Sequence, residues 1–255
     1  MKVVILAGGL GTRLSEETSV IPKPMVRIGG HPIIWHIMKI YSTQGYNDFI
    51  ICLGHKGEVI KNYFLNLANT SSDFTVDISS NKVYFNKGKT LDWKVTMVET
   101  GELTMTGGRM KRISKHINDD EFLMTYGDGL SDINIDNLIK FHKNHGKKAT
   151  VTAVKPPPRF GTLNIGENSE VEIFEEKTYH PWINGGFFAL SKDVLDYIEE
   201  DSTPFEGEPM KRLAEEGELF AYKHNGFWRC MDTLSDKNSL EELWIKNPQW
   251  KIWKD

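Results

Sequence analysis

Residues 2–25 read KVVILAGGLGTRLSEETSVIPKPM, and the opening of that stretch decides the fold. KVVILA (2–7) is an unbroken apolar run of strand length, the pattern of a strand buried on both faces of a parallel sheet. GGLGTR (8–13) follows at once. In an open α/β sheet, ligands bind beyond the carboxyl ends of the strands, and this loop sits there. Its glycines let backbone N–H groups approach phosphate oxygens, and Arg13 adds a planar charged fork. Two phosphate templates fail. A dinucleotide fingerprint begun at Gly9 requires glycine where Leu14 stands, and no lysine follows the glycines at P-loop spacing. A plain structural turn explains the glycines but not the arginine at the mouth.

Working outward, the chain alternates. HPIIWHIMKIYSTQG (31–45) carries apolar residues at helical spacing and stops at Gly45. DFIICLG (48–54) is strand-like, and GEVIKNYFLNL (57–67) is an amphipathic helix. Strand, helix, strand, helix implies a parallel sheet with helices packed on it. The rhythm breaks at 73–100, where alternating β-branched and aromatic residues with Asn-Lys and Lys-Gly turns suggest an inserted hairpin. A short helix near 107–117, a strand at 121–128, a helix near 134–145 and a strand at 148–155 come next. Strands at 171–177 and 185–191 and helices near 193–200, 208–216 and 234–245 complete the pattern. The expected fold is α/β: one domain over 1–255 with a Rossmann-like, mostly parallel sheet flanked by helices, an inserted β-hairpin, and a small α+β lobe within 156–255.

The bulk numbers agree. The 255 residues are 39% apolar and 26% charged, enough to bury a full core and against disorder. A net charge of −4 and the lack of a basic stripe argue against nucleic acid as a partner. No apolar run approaches a membrane span, and no leader-like pattern opens the chain. Cys52 and Cys230 make no disulfide framework and no zinc pattern, which fits a reducing cytoplasm.

Several residues are chemical candidates. Lys23 sits between two stiffening prolines, either a fixed charge or a solvated loop lysine. Asp128 ends a strand in TYGDGL, as a metal ligand or a turn-forming Asp-Gly. Asp232 in CMDT precedes a helix, as a metal ligand or a helix cap. Arg109 in TGGRMKR is a base reader or part of a basic helix face. Tyr126 lines a pocket or fills the core, and Asn184 in INGG is a ligand donor or a turn residue.

VVILAGGLGTRL with PKPM resembles the sugar-nucleotide pyrophosphorylases, nucleotidyltransferases that join a nucleoside triphosphate to a sugar 1-phosphate. TGGRMKRI (106–113), TYGDGL (125–130), RFGTLNI (159–165), INGGFF (183–188) and FWRCMDT (227–233) stand in the order and spacing of the branch using CTP and glucose 1-phosphate. The resemblance covers nearly the whole chain. It implies attack of a sugar-phosphate oxygen on the α-phosphorus of CTP, expelling pyrophosphate, with Mg²⁺ as cofactor. Leu6, Gly8, Gly9, Gly11, Thr12, Arg13, Lys23 and Arg109 are then the nucleotide side, with Arg13, Lys23 and Asp128 catalytic. Asp128 and Asp232 hold the metal. Tyr126, Gly161, Glu176, Lys177 and Asn184 are the sugar-phosphate side, all but Tyr126 in the 156–255 part. The resemblance also implies a homo-oligomer, with the inserted hairpin as an intersubunit arm, and a supply of nucleotide sugar for bacterial cell-envelope deoxysugars. Two positions depart from the pattern: Ile21 stands where a second lysine is common, and EEKTYHPW (175–182) replaces a Glu-Lys-Pro continuation. The chemistry asks for no general base, because the attacking phosphate oxygen is already largely ionised at pH 7. None of the eight histidines is therefore assigned a role, and His31 is expected to be a residue of a helix cap region.

Overall fold

All four side chains of Val3–Leu6 (β1) are buried, as the apolar run requires. Val3 and Ile5 face one core with Ile33, Ile37 and Leu138, whereas Val4 and Leu6 face a second core with Met110, Val194 and Leu213. A strand with helices on both faces has no polar side to show, so its sequence does not alternate. The computed structural model describes residues 1–9, 11, 14–18, 20–70, 73–85, 91–156, 162–165, 170–175 and 181–254. Thr12, Arg13, Gly161, Glu176 and Lys177, all singled out from the sequence, lie outside the described residues.

After β1 come Ser15–Thr18 (α1), Arg27–Ile28 (β2), His31–Pro32 (β3), Ile33–Ser42 (α2), Asp48–Leu53 (β4) and Gly57–Thr70 (α3). Phe74–Asp77 (β5), Lys82–Phe85 (β6), Lys94–Glu99 (β7), Thr106–Arg112 (α4), Glu121–Tyr126 (β8) and Gly129–Ser131 (β9) follow. Then come Ile135–His145 (α5), Ala149–Val154 (β10), Thr162–Ile165 (β11), Val171–Glu175 (β12) and Ile183–Ser191 (β13). Glu208–Glu215 (α6), Leu219–Lys223 (β14), Trp228–Cys230 (β15) and Leu234–Lys246 (α7) complete the chain.

The main sheet has seven strands in the order β14-β10-β13-β8-β1-β4-β7. β1 pairs parallel with both β4 and β8, β4 with β7, and β10 with β14; β13 alone runs antiparallel, against β8 and β10. Strand order therefore turns at β1, with β4 on one side and β8 on the other, and the crevice beyond their carboxyl ends is the expected ligand site. The later part of the chain is woven into this sheet through β13 and β14, while β11 and β12 form a separate antiparallel pair.

The insertion is shorter than the expected 73–100. Only β5 and β6 form the hairpin; residues 94–99 are β7, an edge strand of the main sheet in register with β4 from Asp48↔Lys94 to Leu53↔Glu99. An edge strand is half exposed, so its sequence alternates much as a hairpin strand does. Among the described residues no helix is long and apolar enough to cross a membrane.

Candidate active site

The first turn after β1 is held from several sides. Ala7 N donates to Cys52 O (3.1 Å), and Thr18 Oγ1 donates to Gly11 O (2.9 Å) and Leu14 O (2.8 Å). Lys56 Nζ reaches Thr18 O (2.7 Å), and Lys237 from α7 is paired with Glu17. A Cβ at Gly8 would lie 2.1 Å from the Arg109 guanidinium, so any larger residue there must displace that hydrogen-bonded side chain. Leu6, Gly8, Gly9 and Gly11 thus form one wall of a cavity of about 700 Å³.

Lys23 enters from a short 3-10 turn, Lys23–Met25. Pro22 before it is extended (φ −69°, ψ 149°), and Pro24 lies against Gly127, so the backbone on both sides of the lysine is stiff. Its Nζ donates to Asp128 Oδ2 (2.6 Å) and to Asp232 Oδ1 (2.5 Å). Burial alone would push the ammonium pKa down; the two carboxylates outweigh it, and the net shift is upward. Lys23 is thereby a paired, part-buried cation rather than a solvated loop lysine.

The two aspartates, a hundred residues apart, meet because β9 pairs with β15. Gly129 opposes Cys230, and Met231 N donates to Asp128 O (2.9 Å). Asp128 precedes that rung and Asp232 follows it, so both project to the same edge. Asp232 is not the cap of α7. Thr233 is: its hydroxyl accepts from Asp236 N, and Asp236 accepts from the backbone N of Thr233 in return, a complete capping box. Among the described residues no cluster of three or more His, Cys, Asp or Glu is placed to hold a metal by itself, so this pair stands at two carboxylates. Two carboxylates on one cation suit Mg²⁺, which draws its remaining ligands from phosphate and water.

Arg109 lines the larger cavity, with a guanidinium turned into the protein. Nη2 donates to Gly8 O (2.9 Å) and Glu102 O (3.2 Å); Nη1 donates to Leu53 O (2.9 Å), Thr100 Oγ1 (2.8 Å) and Gly101 O (2.7 Å). Its terminal N–H groups are taken up in this way, which corrects the expectation that they are offered to a base. Arg109 is neither a base reader with free donors nor part of a solvated basic face. It ties the glycine loop to residues 101–102.

A second cavity of about 270 Å³ adjoins the first, and the two share Tyr126, Asp128, Asn184 and Asp232. Tyr126 both lines the cavities and packs edge-on against Phe188 (5.9 Å between centroids). Its hydroxyl donates to Glu206 and accepts from Asn184 Nδ2 (3.1 Å), while Asn184 Oδ1 accepts from Gly186 N (2.8 Å). Burial, then the Glu206 charge, pushes the Tyr126 pKa far above the usual phenol range. Thr106 Oγ1 donates to Glu206 Oε2 (2.5 Å), so Glu206 ties Thr106 to Tyr126 in the wall of the larger cavity. Sequence reasoning missed Glu206; PFEGEP (204–209) carries no motif that singles it out. Cys230 also lines the second cavity, but burial and then Asp232, Asp128 and Asp236 raise its thiol to about 11, which keeps it protonated and non-nucleophilic near neutrality. No histidine is among the described lining residues of either cavity; His31 lies in β3, stacked on Trp35 at 4.0 Å. Ile21, where a second lysine is common, packs against the core.

Comparison with known proteins places the chain in a family. The nucleotidyl transferase family profile matches residues 2–253. A glucose-1-phosphate cytidylyltransferase of Salmonella typhi is 55% identical over 99% of this chain and 100% of its own length. A probable glucose-1-phosphate cytidylyltransferase of Bacillus subtilis is 48% identical with the same coverage. The crystal structure of HddC from Yersinia pseudotuberculosis superposes with a TM-score of 0.71 at 25% identity, covering 95% of this chain and 99% of that one. With a profile spanning almost every residue, full-length relatives and a doubly wound sheet carrying its site at the β1 turning point, the chain belongs to the nucleotidyl transferase family.

Proposed function

We propose that the protein transfers CMP from CTP to α-D-glucose 1-phosphate, releasing pyrophosphate and CDP-glucose. The observation that carries this reading is the convergence of Lys23, Asp128 and Asp232 on the wall shared by two adjoining cavities. Full-length similarity to the glucose-1-phosphate cytidylyltransferases supports the choice of substrates.

The larger cavity takes the nucleotide. Its base lies between the Leu6–Gly9 backbone and the 102–105 segment, whose positions Arg109 sets. The triphosphate runs along Gly11 toward Lys23, with Thr12 and Arg13 assigned to the same side by the family pattern. The smaller cavity takes the sugar phosphate against Tyr126 and Asn184, with Gly161, Glu176 and Lys177 assigned to it on the same ground. An oxygen of the sugar phosphate attacks the α-phosphorus, and the bond from that phosphorus to the bridging oxygen of the departing pyrophosphate breaks. Both reactants are polyanions, so the barrier is repulsion and charge build-up, which positioned cations relieve. Asp128 and Asp232 would hold Mg²⁺, which neutralises phosphate charge when bound. The test is a pyrophosphate-release screen crossing the NTPs and dTTP with hexose 1-phosphates, with and without Mg²⁺. The expected maximum is CTP with glucose 1-phosphate, lost on chelation; a maximum at another pair would reassign the substrates.

We further infer that the chain self-associates through β5–β6. Phe74, Val76, Val83 and Phe85 pair across the hairpin on one face, and each is close to half exposed. A two-stranded hairpin is marginal alone in water and gains stability from a covered apolar face. Val76→Asp with Phe85→Asp is expected to shift light-scattering mass at micromolar concentration from oligomer to monomer. A wild-type monomer there would remove this inference.

A further inference from the structure

Lys23 stands where a divalent cation would stand. Its ammonium lies 2.6 Å from Asp128 Oδ2 and 2.5 Å from Asp232 Oδ1, so these two oxygens are no farther apart than those two bonds laid end to end. All three side chains are largely shielded, with 12%, 26% and 18% of their surfaces exposed. Two carboxylates forced together by a β-ladder rung need a cation between them. A metal ligated by the same oxygens, at about 2.0–2.1 Å, leaves no room for the ammonium at its present distance. The two cations compete for one position.

The lysine has a second place to go. It lines the larger cavity, its backbone is fixed by Pro22 and Pro24, and four methylenes let the ammonium swing. Resting on the reading of that cavity as the triphosphate site, we propose that Lys23 is an exchangeable internal counter-ion. Without nucleotide it neutralises Asp128 and Asp232 and resists a divalent metal arriving alone. When phosphate oxygens enter, the ammonium transfers to them and the carboxylates become available to the metal. Metal and nucleotide then bind with positive coupling beyond their direct contact, and by linkage each tightens the other by the same factor. The arrangement also keeps the nucleotide-free protein from collecting adventitious divalent ions at this carboxylate pair.

The experiment measures Mn²⁺ binding by loss of the free-ion EPR signal, without and then with CTP, in the parent and in Lys23→Met. The parent is expected to bind Mn²⁺ weakly alone and about 5- to 150-fold tighter with CTP. Lys23→Met is expected to bind Mn²⁺ alone about tenfold tighter than the parent, to bind CTP alone more weakly, and to show a smaller metal–nucleotide coupling. Mn²⁺ should also raise the Tm of Lys23→Met more than that of the parent, which reads the effect even if the unrelieved carboxylates weaken the fold. Adding Asp232→Asn to Lys23→Met should abolish the gain. Metal-alone affinity in Lys23→Met equal to or below the parent's overturns the proposal, as does a gain that survives Asp232→Asn. The metal-alone arm contains no substrate, so it stands apart from the functional reading: if another NTP rather than CTP tightens Mn²⁺ binding, the nucleotide is reassigned and the counter-ion role is upheld.

Discussion

Arg109 shows how far the identity of a residue falls short of its role. The sequence puts it in a basic helical segment beside Lys111 and Arg112. The fold sends Lys111 to Ile198 O and Arg112 to Asp201, and buries Arg109 alone to bind four backbone carbonyls. A planar fork with several donors can do this; an ammonium cannot match its geometry. Arg109→Ala removes the donor to the buried Gly8 O, at about 1–3 kcal/mol for an unsatisfied buried group, and frees the glycine loop from residues 101–102; Leu53 O keeps its bonds from Thr100. The expected result is a lower denaturant midpoint, a KM for CTP raised far more than that for glucose 1-phosphate, and no rescue by Arg109→Lys. Equal effects on both KM values would count against the assignment. Asp128, Lys23 and Asp232 could be singled out from the family pattern, but their meeting through the Lys23 ammonium could not. Nor could the direction of Arg109 and the recruitment of Glu206, since both depend on which backbones a side chain reaches across the fold.

At the scale of elements, legibility followed burial. β1, β4, β8 and β10 are central strands, each almost wholly buried, and read plainly as apolar runs. β14 and β15 did not: one is a half-exposed edge strand, the other only three residues long. Yet β15 brings Asp232 to Asp128, and α7 begins immediately after it. The capping box on Thr233 therefore fixes both the start of α7 and the carboxylate preceding it. Asp236 reinforces this, since it accepts from Asp232 N as well (3.1 Å). Thr233→Ala is expected to cost about 1 kcal/mol in denaturant unfolding and to weaken the apparent metal affinity several-fold, with Thr233→Ser restoring both. A stability loss with unchanged metal dependence would show that the cap serves the helix only.

For the molecule as a whole, acid is the vulnerable direction. His36 is fully buried among Trp244, Trp250 and Trp253, and burial pushes its pKa from 6.5 to about 4 despite the hydrogen bond it donates to Ile28 O (2.8 Å). His142, buried against Thr150, is also lowered to about 4. Between pH 6.5 and 4 the unfolded chain binds these protons and the folded one does not. Stability is therefore full above 6.5 and is lost as pH falls toward 4, by about 3 kcal/mol for a shift of this size at one group. Urea midpoints at pH 7.5 and 5.0 should differ accordingly, and His36→Gln should shrink the difference; identical midpoints would contradict it. One feature of the sheet bears on how such a molecule can vary. β10 and β13 are antiparallel neighbours, and Val154 sits directly opposite Ile183, so the chain leaves the sheet and returns to it across a single rung. The entropy of closing a loop grows only with the logarithm of its length, about 0.6 kcal/mol per doubling. With its ends already clasped, one of them (Ile183) in the wall of the smaller cavity, the excursion can lengthen, shorten or be exchanged for another as a cassette. On the proposed function, grafting that segment would change the acceptor while the strands around β1 stay as they are.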